Sequence, residues 1–132
     1  MAPEQYLETE RAAEFRSEYV NGEMFAMSGS TVRHKTIVNN LGWALRPQLE
    51  GRCQYFTNEL RLLVRATGLY TYPDLMVICG EIGYSGDQQD IVTNPRFIAE
   101  IDRGGRFMHY RSIPGLADYM IAAQDSVRVD PC

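Results

Sequence analysis

The stretch Pro73-Asp74-Leu75-Met76-Val77-Ile78-Cys79 decides how this chain is read, because it sets one carboxylate at the mouth of an apolar run. Such a run, opened by a proline, reads as a buried strand. A second segment, Phe97-Ile98-Ala99-Glu100-Ile101, carries its acid inside the run. Side chains alternate faces along a strand, so Glu100 lies beside Ile98 while Phe97, Ala99 and Ile101 take the other side. An ionised group against a dry sheet is costly unless something positive or protonated meets it, so two acids placed this way point to a metal or acid–base site. Each also has a plainer reading. A Pro-Asp pair is ordinary turn chemistry ahead of a strand, and a strand-end glutamate is often one half of a salt bridge.

Outward from these two strands the chain reads as mixed α/β. Pro3 to about Phe15 spaces Tyr6, Leu7, Glu10, Arg11 and Glu14 at helical intervals behind an early proline. Asn21-Gly22 between two apolar-rich runs, Glu18 to Val20 and Glu23 to Met27, predicts a hairpin. Ser28 to Thr31 supplies cap chemistry for a helix whose Ile37, Val38, Leu41, Leu45 and Leu49 share a face, expected to hold only to Arg46 because Pro47 removes a hydrogen bond. Strands are expected over Cys53 to Thr57, Leu60 to Arg65, Leu75 to Cys79, Phe97 to Ile101 and Tyr119 to Ala123. Gly80 to Pro95 reads as a long exposed loop, and Arg103 to Ser112 as a helix. Only Ile101 separates Glu100 from Asp102, the natural cap of that helix. A strand-to-helix connection usually takes about 2–6 residues, so either the helix starts later or residues are absent there.

Composition bounds the function. At 132 residues with a 45% hydrophobic share, the chain is expected to form one domain over residues 1–132. A net charge of −4 gives no global field for gathering nucleic acid, so any phosphate contact must be local or metal-assisted. Locally, Arg103, Arg106, His109 and Arg111 form a cationic strip beside Tyr110. Three cysteines, Cys53, Cys79 and Cys132, without a C-x-x-C pair suggest neither a disulfide framework nor a zinc knuckle, and Cys79 reads as inert core. A reducing cytoplasm is the expected compartment, and no stretch is long and apolar enough for a membrane span. His34 reads as a core-edge histidine, and Glu18 and Glu59 as strand-end acids that could join the site. If Asp74 and Glu100 meet, like charges repel unless a divalent cation bridges them, and Mg²⁺ takes one or two carboxylates plus waters and phosphate oxygens. The reaction implied is phosphodiester hydrolysis.

Along nearly its whole length the chain resembles the Uma2 (DUF820) family of the PD-(D/E)XK restriction-endonuclease-like superfamily. The resemblance rests on Glu18-Tyr19-Val20-Asn21-Gly22-Glu23-Met24, His34 with Ile37, Asn40 and Leu41, and Tyr72-Pro73-Asp74-Leu75-Met76-Val77. It continues through Ala99-Glu100-Ile101, the run Asp102 to Arg111, and Ile113-Pro114-Gly115-Leu116-Ala117-Asp118-Tyr119. It implies a restriction-endonuclease-like core, a mixed central sheet flanked by helices, and a Mg²⁺- or Mn²⁺-dependent endonuclease acting on DNA. Asp74 and Glu100 would be the metal-holding catalytic acids. Arg106 falls where members usually carry a lysine; arginine stays cationic and cannot act as a base near neutral pH. Two further departures are a missing Ser/Pro-rich loop after the Glu100 strand and an early end after the Ser126 to Val129 strand. The competing readings are a nuclease fold without activity that binds DNA or protein, and a dimeric structural or toxin–antitoxin partner without chemistry, a homodimer among the expected partners, whose interaction surface would be the aromatics Tyr70, Tyr72, Phe107 and Tyr110.

Overall fold

The computed structural model describes residues 1–27, 29, 31–101, 110–122 and 127–131. In chain order its elements are α1 (Pro3–Ala12), β1 (Ser17–Val20), β2 (Glu23–Ala26), α2 (Val32–Leu49), β3 (Cys53–Thr57) and β4 (Arg61–Val64). They continue with β5 (Leu69–Thr71), β6 (Leu75–Cys79), β7 (Ile91–Val92), β8 (Phe97–Ile101), β9 (Asp118–Ala122) and β10 (Val127–Pro131). The strands form two five-stranded sheets, ordered β2-β1-β5-β4-β7 and β10-β9-β8-β6-β3. Each is mixed, with β4–β7 and β8–β9 parallel and the other pairs antiparallel.

The period-2 pattern divides the apolar residues into three layers. Leu62, Val64 and Leu69 of the first sheet meet Met76, Ile78 and Ile98 of the second, joined by Tyr110, Ile113 and Leu116. The opposite face of the second sheet, Leu75, Val77, Ala99 and Ile101, packs under Val38 of α2, with Leu41 and Leu45 alongside. On the opposite face of the first sheet Tyr19, Leu63, Tyr70 and Ile91 receive Tyr6 of α1. Helices therefore cover both outer faces, as the mixed α/β reading requires, and the strands are divided between two sheets with an apolar layer between them.

The hairpin turn forms on Asn21 and Gly22 with φ of 52° and 81°, the left-handed pair that a two-residue loop demands. Thr31 caps α2, its side-chain oxygen accepting the His34 backbone N–H at 3.1 Å. Contrary to expectation, α2 runs through Pro47 to Leu49. Pro47 stands in the last turn on the exposed side, where the Trp43 carbonyl it strands can turn to water.

Three other expectations need correction. Leu69–Thr71 is a strand, and the segment read as a loop from Gly80 to Pro95 contains β7, whose Ile91 and Val92 are each 1% exposed. Tyr70, Tyr72 and Tyr110 lie in the core, so they make no aromatic surface; Phe107 is outside the described residues. Cys53 and Cys79 sit opposite each other in the β3–β6 ladder and are joined by a disulfide, so Cys79 is not inert core. The expected helix over Arg103 to Ser112 falls mostly outside the described residues, as does the question of the link into Asp102. Among the described residues no helix is long and apolar enough to cross a membrane.

Candidate active site at the Asp74–Glu100 sheet end

The β6–β8 ladder pairs Val77 with Phe97, Met76 with Ile98 and Leu75 with Ala99. One step beyond the last pair stand Asp74 and Glu100, so the antiparallel register makes the two acids cross-strand neighbours. Both are buried, at 2% and 1% exposure.

Asp74 is held from two sides. Its Oδ1 lies 2.9 Å from His34 Nε2, and its Oδ2 accepts the Ile101 backbone N–H at 2.8 Å. The carboxylate thus ties the first turn of α2 to the end of β8, and a bond to an ionised acceptor is about twice as strong as a neutral one. Glu100, on the face between the sheets beside Ile98, accepts the Tyr110 hydroxyl at Oε1 at 2.8 Å. These contacts fix two acid side chains in defined orientations at one end of the sheet.

Asp74 opens onto a cavity of about 230 Å³ lined by His34, Lys35, Asn39, Asn58 and Glu59. The cleft sets one cation and two amides against two carboxylates, a polar lining in which the ammonium and amide N–H groups can donate to phosphate oxygens. Glu59 therefore shares the Asp74 cleft. Glu18 pairs elsewhere, its Oε2 accepting the Thr71 hydroxyl. Among the described residues no group of three or more His, Cys, Asp or Glu side chains is close enough to hold an ion, so neither of these glutamates completes a three-acid cage and Glu100 makes no such group with the hydrogen-bonded His34–Asp74 pair. Arg106, Arg103 and His109 lie outside the described residues.

Sequence reasoning missed His34 as the partner of Asp74, and it missed Lys35, Asn39 and Asn58 as cleft residues. Thr31, as the cap, was the available signal. It sets His34 at the third helical position, on the same face as Val38, which packs against the sheet that carries Asp74.

A second buried polar cluster serves the architecture. Glu10 Oε2 accepts the Ser17 backbone N–H at 2.8 Å and the Tyr72 hydroxyl, while Arg61 Nε donates to the same hydroxyl at 3.1 Å. Burial first, then the neighbouring Tyr72 and Glu10, push the Tyr6 hydroxyl far above its ordinary pKa; burial also raises the hydroxyls of Tyr70 and Tyr72. Asp90 is held below the usual carboxylate range, first by its hydrogen bond from Arg11 Nε at 2.9 Å. This network fastens α1 to the first sheet.

A family profile described as "Putative restriction endonuclease" matches residues 3–132. The chain belongs to the Uma2 family. Two uncharacterized proteins of Synechocystis sp. are similar over most of their length. One, sll1609, is 34% identical over 96% of this chain and 76% of its own; the other, slr1290, is 30% identical over 98% and 72%. A solved structure from Anabaena variabilis, titled as a "putative nuclease belonging to DUF820", superimposes with a TM-score of 0.75 at 20% identity, covering 99% of this chain and 79% of that one. At that identity the superposition establishes the fold, and this Uma2 chain has the restriction-endonuclease-like α/β fold of its family.

Proposed function

We propose that this Uma2 chain is a metal-dependent endonuclease that hydrolyses DNA phosphodiester bonds, with residues 1–132 acting as one nuclease domain in the cytoplasm. The observation that carries the reading is the pair of buried carboxylates, Asp74 and Glu100, at neighbouring cross-strand positions, with Asp74 lining a cleft that Lys35 also lines.

The donor set fits Mg²⁺ or Mn²⁺. A carboxylate offers about four lone-pair sites, and hard divalent ions take oxygen ligands of this kind. Asp74 and Glu100 would hold the ion, which when bound supplies charge stabilisation at the phosphate and a more acidic water. His34 fixes the rotamer of Asp74, and Tyr110 that of Glu100. Lys35, Asn39 and Asn58 would bind the phosphate backbone at the cleft. Arg106 stands at the family's usual lysine position; a permanent cation there can stabilise negative charge but cannot take a proton, so turnover would be slower than with lysine.

That arginine also favours a second reading, a nuclease fold retained for binding DNA or protein without cleavage. Supercoiled plasmid separates the two. The parent protein should nick it with Mg²⁺ or Mn²⁺ and stop on chelation, and Asp74→Asn or Glu100→Gln should abolish nicking. Salt-dependent DNA binding without nicking, unchanged in Glu100→Gln, would select the binding module.

A further inference from the structure

At the opposite end of β6 from Asp74, the Cys53–Cys79 disulfide lies in the wall of a separate cleft of about 440 Å³. Both cysteines are part-exposed, and Arg52 and Arg96, both exposed, line the same cleft. Cys53 also borders a second cavity of about 240 Å³ that Arg46 lines, so its residue is approached from two sides. Glu50, in both cavities, is the opposing charge; three arginines against one glutamate leave a local positive excess in a chain of net charge −4.

We propose that Cys53–Cys79 is a thiol–disulfide exchange site that takes small anionic thiols. A thiolate drawn by the arginines attacks the Cys53 sulfur; the disulfide breaks, and the electron pair leaves on Cys79 as its thiolate, which takes a proton from water. A second thiolate attacks the small-molecule sulfur of the mixed disulfide and releases Cys53. Two small thiols are oxidised to one small disulfide, and two electrons reduce the protein pair to two thiols. The fold accommodates both states, because reduction leaves the backbone ladder between β3 and β6, from Gln54–Ile78 to Thr57–Leu75, in place.

The test uses the full chain carrying Cys132→Ser, oxidised with glutathione disulfide, and follows free thiols under native conditions. Reduction by glutathione should outpace reduction by cationic cysteamine at equal thiolate concentration. Arg52→Gln with Arg96→Gln should slow glutathione by about five- to tenfold, the scale of losing contact-range charge in water, and leave neutral 2-mercaptoethanol within about twofold. Failure of Cys53 and Cys79 to pair on oxidation, reduction only in denaturant, or equal rates for the anionic and cationic thiols would each overturn the proposal. The thiol comparison needs no arginine variant, so it decides the matter even if the double substitution misfolds.

Discussion

Replacing His34 with alanine removes the imidazole that meets Asp74 Oδ1 at 2.9 Å, at a carboxylate only 2% exposed. A hydrogen bond to an ionised group contributes about 1.5–3 kcal/mol. The adjoining cleft lets water reach the vacated oxygen, which places the loss near the lower bound, about 1.5–2 kcal/mol. Losing the packing of a ring that is itself 9% exposed adds about 1 kcal/mol. His34→Ala should therefore lower unfolding free energy by about 2.5–3 kcal/mol, or Tm by about 10 °C for a chain of this size. Urea denaturation of His34→Ala, Asp74→Ala and the double variant isolates the contact from the packing. The coupling energy should be about 1.5–2 kcal/mol. Coupling below about 0.5 kcal/mol would refute the view that His34 holds Asp74 in place.

Two further outcomes follow from the same geometry. Cys53→Ser with Cys79→Ser opens a crosslink spanning 26 residues and should cost about 3.5 kcal/mol by loop entropy, seen as a Tm lower by about 13 °C than that of the oxidised parent; an unchanged Tm would mean the crosslink does not constrain the unfolded chain. Burial raises the hydroxyls of Tyr6, Tyr70 and Tyr72, so their stabilisation is complete below the unfolded tyrosine value of about 10 and is lost as pH climbs above it. Phenolate absorbance should rise for the exposed tyrosines first and for these three only with loss of structure; uniform ionisation of all eight tyrosines in a folded protein would contradict that.

The sequence is legible where local chemistry and burial agree. The strands over Cys53–Thr57, Leu75–Cys79 and Phe97–Ile101, the Asn21-Gly22 turn and the α2 cap all follow from apolar runs and turn residues. Strands β5 and β7 escape because three and two residues are too few to carry a period, and tertiary pairing alone makes them strands. Asp74 and Glu100 stand out because ionisable groups are costly against apolar strands, whereas His34 lies 40 residues from Asp74 and only the docking of α2 brings them together. The Cys53–Cys79 bond is invisible for the same reason, since it depends on the register of two strands separated by a helix-free excursion through β4 and β5.

The most direct measurement is calorimetric titration of Mg²⁺ and Mn²⁺ into the metal-free protein, with Asp74→Asn and Glu100→Gln alongside. If the two acids hold one ion between them, the parent takes up a single divalent cation and each variant loses that uptake while staying folded. A parent protein that binds neither ion, or variants that bind as the parent does, would contradict the account.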